Sequence, residues 1–515
     1  LVCFAGSIGI IGVALVLAIS FGVQGYIKSI QNDMIAGNPI TISESTFDLS
    51  AIMDSTNRQT QKDAIKQSTK DGYINVDSMI EYIVNRSENM ANFRVSNEIS
   101  QEYIDYIKAM PSEYYADIDF NYNLDIANNI YTNYKFASQE EKNMSVSAAS
   151  EIYMAMLNKT DFGKYSSLIS TISDTFNQAP DNPDFILSQY NFLTSPEKSK
   201  IATEADEIMI VVSSEKELTD LLLAQLGYYT QDEFFNLVYK ATNDEKYNTD
   251  LDKNNFSYDE LLGKKFVYYP NDTVFNKTQE ESPLAQINPF TYNAYENEEW
   301  TTGKELKITG ILVLKDDQHY GCLDSGFYYT SAFANQILSE SKDSEIVKYL
   351  IDKEMYAFTS MEFQGISSGI TFKYDFYFDN VEYTNQTGYV GELSSTSLFG
   401  SFSNQEMPTY YTLSLRDLGG KNLPNQIKIY SQNFEIKNKV TKYLDDWNSN
   451  ADITVNGITI SADERTEINY NDTLSIIISM INGIVQIITY ALVAFTALSL
   501  VVSTVMIAII TYVSA

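Results

Sequence analysis

The sequence predicts an α+β domain flanked by two transmembrane α-helices. Three observations predict it. Every Asp, Glu, Lys and Arg lies between Lys28 and Asp472, so both ends carry no charge. Between them, short apolar runs alternate with period two, as strands do, or recur with helical period. Helix-start signals fall repeatedly between those runs.

Residues 1–23 contain nothing more polar than Ser7 and Ser20. That length crosses a hydrocarbon core of about 30 Å, so residues 1–26 are expected to form the first transmembrane helix. A signal peptide would instead need a basic start, a shorter apolar core and a small-residue cleavage site. Residues 473–515 are also uncharged. As one helix they would measure roughly 60 Å, about twice the hydrocarbon thickness. The expectation is a stalk over 473–483, carried by Leu474, Ile477, Ile478 and Gly483, and a second transmembrane helix over 484–513. Small residues at packing intervals, Ala5, Gly9 and Gly12 in the first span and Ala491, Ala494 and Ala497 in the second, permit close helix approach.

The net charge of −33 resides wholly in the middle of the chain. It opposes nucleic acid and anionic lipid surfaces and favours solubility or cationic partners. Only Cys3 and Cys322 occur, and Cys3 is in the apolar N-terminal run. The central part therefore forms no internal disulfide and no cysteine-rich metal site.

Along residues 27–472, a polar and helical insertion is expected at about 50–185. Within it, Ile99, Tyr103, Ile104 and Ile107 share a helical face that Pro111 terminates. Asp117, Asp119, Asn121, Asn123 and Asp125 then alternate with apolar residues, which reads as a strand with one wet face. A calcium loop is disfavoured there against the strand, because Tyr122 and Asn128 stand where an EF-hand needs Gly and Glu. The same holds for Asp250, Asp252 and Asn254, followed by Asn255 and Leu261. Capping boxes at Ser214/Glu217, Thr230/Glu233 and Ser257/Glu260 place helices near 215–226, 231–240 and 258–262. Core elements are expected at about 115–130, 186–270 and 300–465, with helices near 330–351 and 433–448. The last of these, carrying Phe434, Val440, Tyr443, Leu444 and Trp447, joins strands at 426–430 and 452–460 in a β-α-β unit.

Catalytic patterns are poor. Gly365-Ile366-Ser367-Ser368-Gly369 matches a nucleophile elbow in form, but a strand follows it rather than a helix. The only histidine, His319, lies in a polar loop with Cys322 and Asp324. No catalytic, cofactor-binding or metal residue is assigned, and an anchored extracellular enzyme is the least favoured class. No G-x-x-x-x-G-K-[ST] run occurs, so these residues hold no phosphate-binding loop.

Several segments resemble MacB/FtsX-type ABC transporter permeases. FAGSIGIIGVALVLAISFGVQGYI and ITYALVAFTALSLVVSTVMIAIITYVSA resemble their first two transmembrane helices. YNFLTSPEKSKIATEADEIMIVVS is similar to the porter strand and turn, and SEKELTDLLLAQLGYYTQDEF follows it. YDELLGKKFVYY and ELKITGILVL resemble later core strands. Thr194 and Ser195 depart from the family, which commonly has Gly in that turn.

The resemblance implies an α+β extracytoplasmic domain built of porter-like β-α-β units, a second mixed subdomain and helical insertions. It also implies a multi-pass protein of the plasma membrane whose partners are the lipid bilayer, an ABC ATPase, a second permease copy in a homodimer and a peptide, lipoprotein or drug ligand. It implies further transmembrane helices beyond residue 515. ATP and Mg would be bound by the ATPase, with no cofactor in these residues. ATP hydrolysis would move the external domain to export or release the ligand. The alternative is an FtsX-like regulatory or ligand-sensing protein that signals across the membrane or activates a cell-wall hydrolase.

Overall fold

The structure is a computed structural model describing residues 22, 34–35, 37–47, 94–137, 141–165, 175–195, 199–278, 288–360, 362–363, 366–367, 369–394 and 410–514. The chain divides into two compact units. One comprises Leu1–Ile118, Gln318–Cys322 and Ile427–Ala515, and the other Asp119–Asp317 and Leu323–Gln426.

The second unit is organised on an eight-stranded mixed sheet. Its spatial order is Lys142–Ser145, Ile130–Tyr134, Phe266–Tyr268, Lys304–Leu314, Glu207–Val212, Gly326–Tyr329 and Phe176–Gln178, with Tyr190–Phe192 paired to the long strand Lys304–Leu314. A register shift between Ile308 and Ile311 interrupts that long strand where it lies along Glu207–Val212. Its first half pairs with Phe266–Tyr268 and its last residues with Tyr190–Phe192. Such an irregularity bends a strand and lets a sheet curl. Glu207–Val212 is buried at every position, as a central strand covered on both faces must be. Phe176, Phe266 and Phe327 pack edge-to-face at 5.7–6.2 Å between ring centres.

Local signals explain the helices here. Thr230/Glu233 and Ser257/Glu260 form complete capping boxes at the starts of Gln231–Thr242 and Tyr258–Leu262. The box expected at Ser214 does not form. Lys216 has φ of +63°, outside the right-handed helical region, and residues 213–217 make a turn. The helix starts later, at Asp220–Gln225, with Thr219 as its cap. The helical stretch near 330–351 is two helices, Ser331–Ser341 and Glu345–Asp352.

The first unit contains the helix Gln101–Lys108, a three-stranded sheet ordered Ile40–Ser43, Gln426–Ser431 and Tyr115–Asn121, and the helix Phe434–Trp447. Tyr106 and Tyr443 stack at 4.4 Å, and each hydroxyl donates to the other residue's carbonyl oxygen, at 2.6 and 2.8 Å. Residues 452–460 are not the third member of a β-α-β unit. They form their own hairpin, Ile453–Val455 with Ile458–Ile460, turned by Asn456 and Gly457 at φ of +50° and +82°. The acidic alternation at 115–121 is present with its faces exchanged: Asp117 and Asp119 are buried and Ile118 and Phe120 half-buried. Asp119, where the second unit begins, accepts the Gln178 side-chain amide of that same unit at 2.8 Å.

Stalk and second span are one helix, Thr473–Ser514, of 42 residues, called the terminal helix below. Among the described residues, however, no helix is long and apolar enough to cross a membrane. This overturns the two flanking transmembrane helices in the expected fold, and with them the placement as a multi-pass protein of the plasma membrane. The uncharged run is helical over Thr473–Ser514, but the absence of charge along a helix does not by itself supply the apolar span that a hydrocarbon core of about 30 Å demands. The first expected span, with Ala5, Gly9 and Gly12, lies outside the described residues except for Gly22, which is helical and exposed.

Candidate coupling site at the base of the terminal helix

The terminal helix starts inside the first unit, and its first turn carries both a cap and a buried ion pair. Asp472 precedes the helix and caps it. Its carboxylate accepts the Ser475 backbone N–H at 2.9 Å and the Ser475 hydroxyl at 2.7 Å, satisfying donors that a helix start leaves unpaired.

The same carboxylate forms an ion pair with Lys437. Lys437 is only 1% exposed, sits in the Phe434–Trp447 helix and also donates to Ser475 Oγ at 3.0 Å. Its ammonium lies 5.7 Å from the centre of the Phe434 ring. Burial lowers the Lys437 ammonium below the usual lysine value, and the Asp472 charge and hydrogen bond oppose that shift. A charge this deeply buried is tolerated only when paired and hydrogen-bonded. Lys437 therefore ties its helix to one position on the terminal helix.

Apolar contacts reinforce the tie. Leu474 and Ile478 are buried in a cluster with Ile35, against which Met34 and Phe434 pack. Of the other expected stalk residues, Ile477 is half-buried. Gly483 is also half-buried, and a Cβ built on it meets nothing within 4 Å. Ala491, Ala494 and Ala497, expected to pack, are exposed.

The segment leading into the helix is stitched residue by residue. Trp447 Nε1 donates to the Thr466 carbonyl at 3.0 Å, and Asn448 exchanges two hydrogen bonds with Ile468. Asn97 donates to the carbonyls of Ser43 and Asn469 and accepts the Asn469 N–H, each at 2.8 Å. Thr41 and Asn471 pair through their backbones at 3.0 and 2.7 Å, and Tyr470 donates to Asp445 at 2.9 Å. A displacement of the terminal helix thus meets an ion pair, a cap, an apolar plug and a laced lead-in within a few residues.

Lys437, Asp472 and Asn97 are absent from the sequence expectation. Lys437 had a signal: it falls three residues after Phe434 and three before Val440, inside an apolar stripe. A charge at such a place must find a partner. Asn97 had none, since its partner lies 372 residues away.

The remaining sequence candidates lie elsewhere. Ser367 is in the short strand Ile366–Ser367, paired with Glu362. His319 is exposed and Cys322 half-buried. Asp252 receives Lys240 at 2.6 Å and the Tyr247 hydroxyl at 3.0 Å. Among the described residues no group of three or more His, Cys, Asp or Glu is placed to hold a metal ion. Comparison with known proteins finds no family model, no curated protein and no solved structure that matches this chain.

Proposed function

We propose that the chain is a mechanical coupling module of the MacB/FtsX permease type, in which movement of the terminal helix is delivered to the folded domain through the Asp472–Lys437 junction. In this reading an ABC ATPase, acting on a paired copy of the assembly, supplies the movement. The domain answers by releasing or exporting a peptide, lipoprotein or drug-like ligand.

The observation that carries the reading is the construction of the helix base. A helix that only tethered the domain would need a linker, whereas this one is capped, ion-paired and plugged at its first turn. The resemblance of the quoted segments supplies the ATPase and the ligand class. The reading requires no particular location for the far end of the helix.

The test uses the complete protein assembled with its ATPase and compares the parent with Asp472→Ala and with Ile477→Gly/Ile478→Gly. Each glycine costs up to about 1 kcal/mol of helix propensity. The expected result is that ATP hydrolysis persists while an ATP-dependent distance change, read between spin labels on the domain and on the terminal helix, is lost. A distance change of parental size in both variants would refute the proposal.

A further inference from the structure

Lys437 and Asp472 are arranged for more than an ion pair. Lys437 Nζ is in contact with Asp472 Oδ1, one bond from the carboxyl carbon. Nζ also donates to Ser475 Oγ at 3.0 Å, and the Ser475 hydroxyl donates to Asp472 Oδ2 at 2.7 Å. The Ser475 backbone N–H donates to Oδ1 at 2.9 Å. The three side chains thus close a ring of hydrogen bonds around the Asp472 carboxyl carbon. The Lys437 side chain is 1% exposed, whereas that of Asp472 keeps an open side, 13% exposed.

We propose that this ring is the site of an intramolecular isopeptide bond, in which Lys437 Nζ condenses with the Asp472 carboxyl group and one water leaves. The ammonium first passes a proton to the carboxylate, giving an amine and a carboxylic acid. Nζ then attacks Cγ, and the negative charge that gathers on Oδ1 is met by the Ser475 N–H already bonded to that oxygen. Ser475 Oγ takes a proton from Nζ and gives its own to Oδ2, which departs as water through the open side. The new amide keeps Oδ1 as its carbonyl oxygen, so atoms and charge balance with no outside reactant.

Three physical arguments favour the condensation. Holding amine and carboxyl in contact replaces a bimolecular encounter, with an effective concentration on the order of 10⁵ M or more for well-oriented groups. Two buried charges carry a desolvation penalty that a neutral amide escapes. Burial also lowers the Lys437 ammonium, which eases the proton transfer that makes Nζ a nucleophile. Among the described residues Asp472 is the only charge acting on Lys437, so a serine hydroxyl relays the proton where a second carboxylate would do so faster. The freshly folded chain therefore holds the ion pair, and the bond accumulates afterwards. The bond deepens the coupling reading and rests on it only for its use: a covalent tie between the helix Phe434–Trp447 and the terminal helix carries force that an ion pair cannot.

The test is the intact mass of the complete chain, freshly folded and after a week held folded at neutral pH. The fresh chain should have the mass of its sequence and the aged chain should be one water lighter, with proteolysis yielding a branched peptide that joins Lys437 to Asp472. Lys437→Arg keeps the charge and cannot condense, so it should stay at the sequence mass, as should the parent aged in urea, where the contact is lost. Ser475→Ala should slow the loss of water about a hundredfold by removing the relay. A parent that stays at the sequence mass, or one that yields no branched peptide, would overturn the proposal. Equal loss of water in Lys437→Arg would overturn it as well, since that marks a succinimide formed by Asp472 on the Thr473 amide, and so would an unchanged rate in Ser475→Ala. The two readings fail separately: a bonded chain without ATP-driven movement refutes the coupling alone, and movement in a chain that keeps its sequence mass refutes the bond alone.

Discussion

Replacing Asp472 with alanine isolates the junction. The change removes the cap that accepts two donors from Ser475 and leaves Lys437, 1% exposed, without its counter-charge. Loss of a cap costs about 1 kcal/mol, and breaking one side of a buried ion pair about 3–5 kcal/mol. Because burial already lowers the Lys437 ammonium, it can partly escape by losing its proton, which places the expected total near the lower end, about 4 kcal/mol. Replacing both partners, Lys437→Met with Asp472→Ala, removes the stranded charge and should restore most of that loss, leaving the variant within about 1–2 kcal/mol of the parent. Urea unfolding followed by fluorescence is the assay. The chain has two tryptophans, so Trp300→Phe leaves Trp447, buried in the first unit, as the only reporter. A loss below about 1 kcal/mol for the single change, or additive losses in the double variant, would refute the view that the buried pair fixes the helix base.

Other expectations follow from single positions. Gly483→Ala meets nothing within 4 Å and lies inside a helix, so it should stiffen the terminal helix by up to about 1 kcal/mol, read as slower amide exchange around residue 483. Gly227 has φ of +69°, and a Cβ there would stand 2.6 Å from the Asn133 carbonyl oxygen; Gly227→Ala should cost at least about 1–2 kcal/mol in thermal unfolding of the second unit. Burial raises Glu151 from 4.5 to about 7, so the folded chain holds the proton more tightly than the unfolded one. Stability is therefore full at the acid end and falls as pH rises between those values, by at most about 3 kcal/mol. Glu151→Gln should flatten that part of the stability profile.

Much of the local structure was legible. Thr230/Glu233 and Ser257/Glu260 act as their spacing says, because a capping box needs only residues three apart. Ser214/Glu217 has the same spacing, and there the chain turns through Lys216 instead. Asn456-Gly457 between apolar residues is a strong hairpin signal, and reading 452–460 as one strand overlooked it. The Asp117 and Asp119 alternation has the right period and the wrong face; for Asp119 the buried donor, Gln178, comes from distant sequence. The junction was half legible: the uncharged run marked Leu474 and Ile478, and Lys437 stood as a charge inside an apolar stripe, while its partner Asp472, 35 residues on, and Asn97, 372 residues from Asn469, act across separations that leave no local pattern. The apolar run also misled, since uncharged composition over 473–515 suggested a membrane span that no described helix has the apolar length to make.

The central claim, that the first turn of the terminal helix is the point where movement enters the domain, is tested most directly by pulling. In a single-molecule measurement the chain is held by attachments in the terminal helix and in the domain, for example at Val493 and Lys439. The parent should resist until one cooperative rupture that unfolds the first unit, because the ion pair, the cap and the apolar plug fail together. Asp472→Ala should yield at clearly lower force, with the helix base detaching before the domain unfolds. An early detachment in the parent, or the same rupture force in both proteins, would contradict the claim.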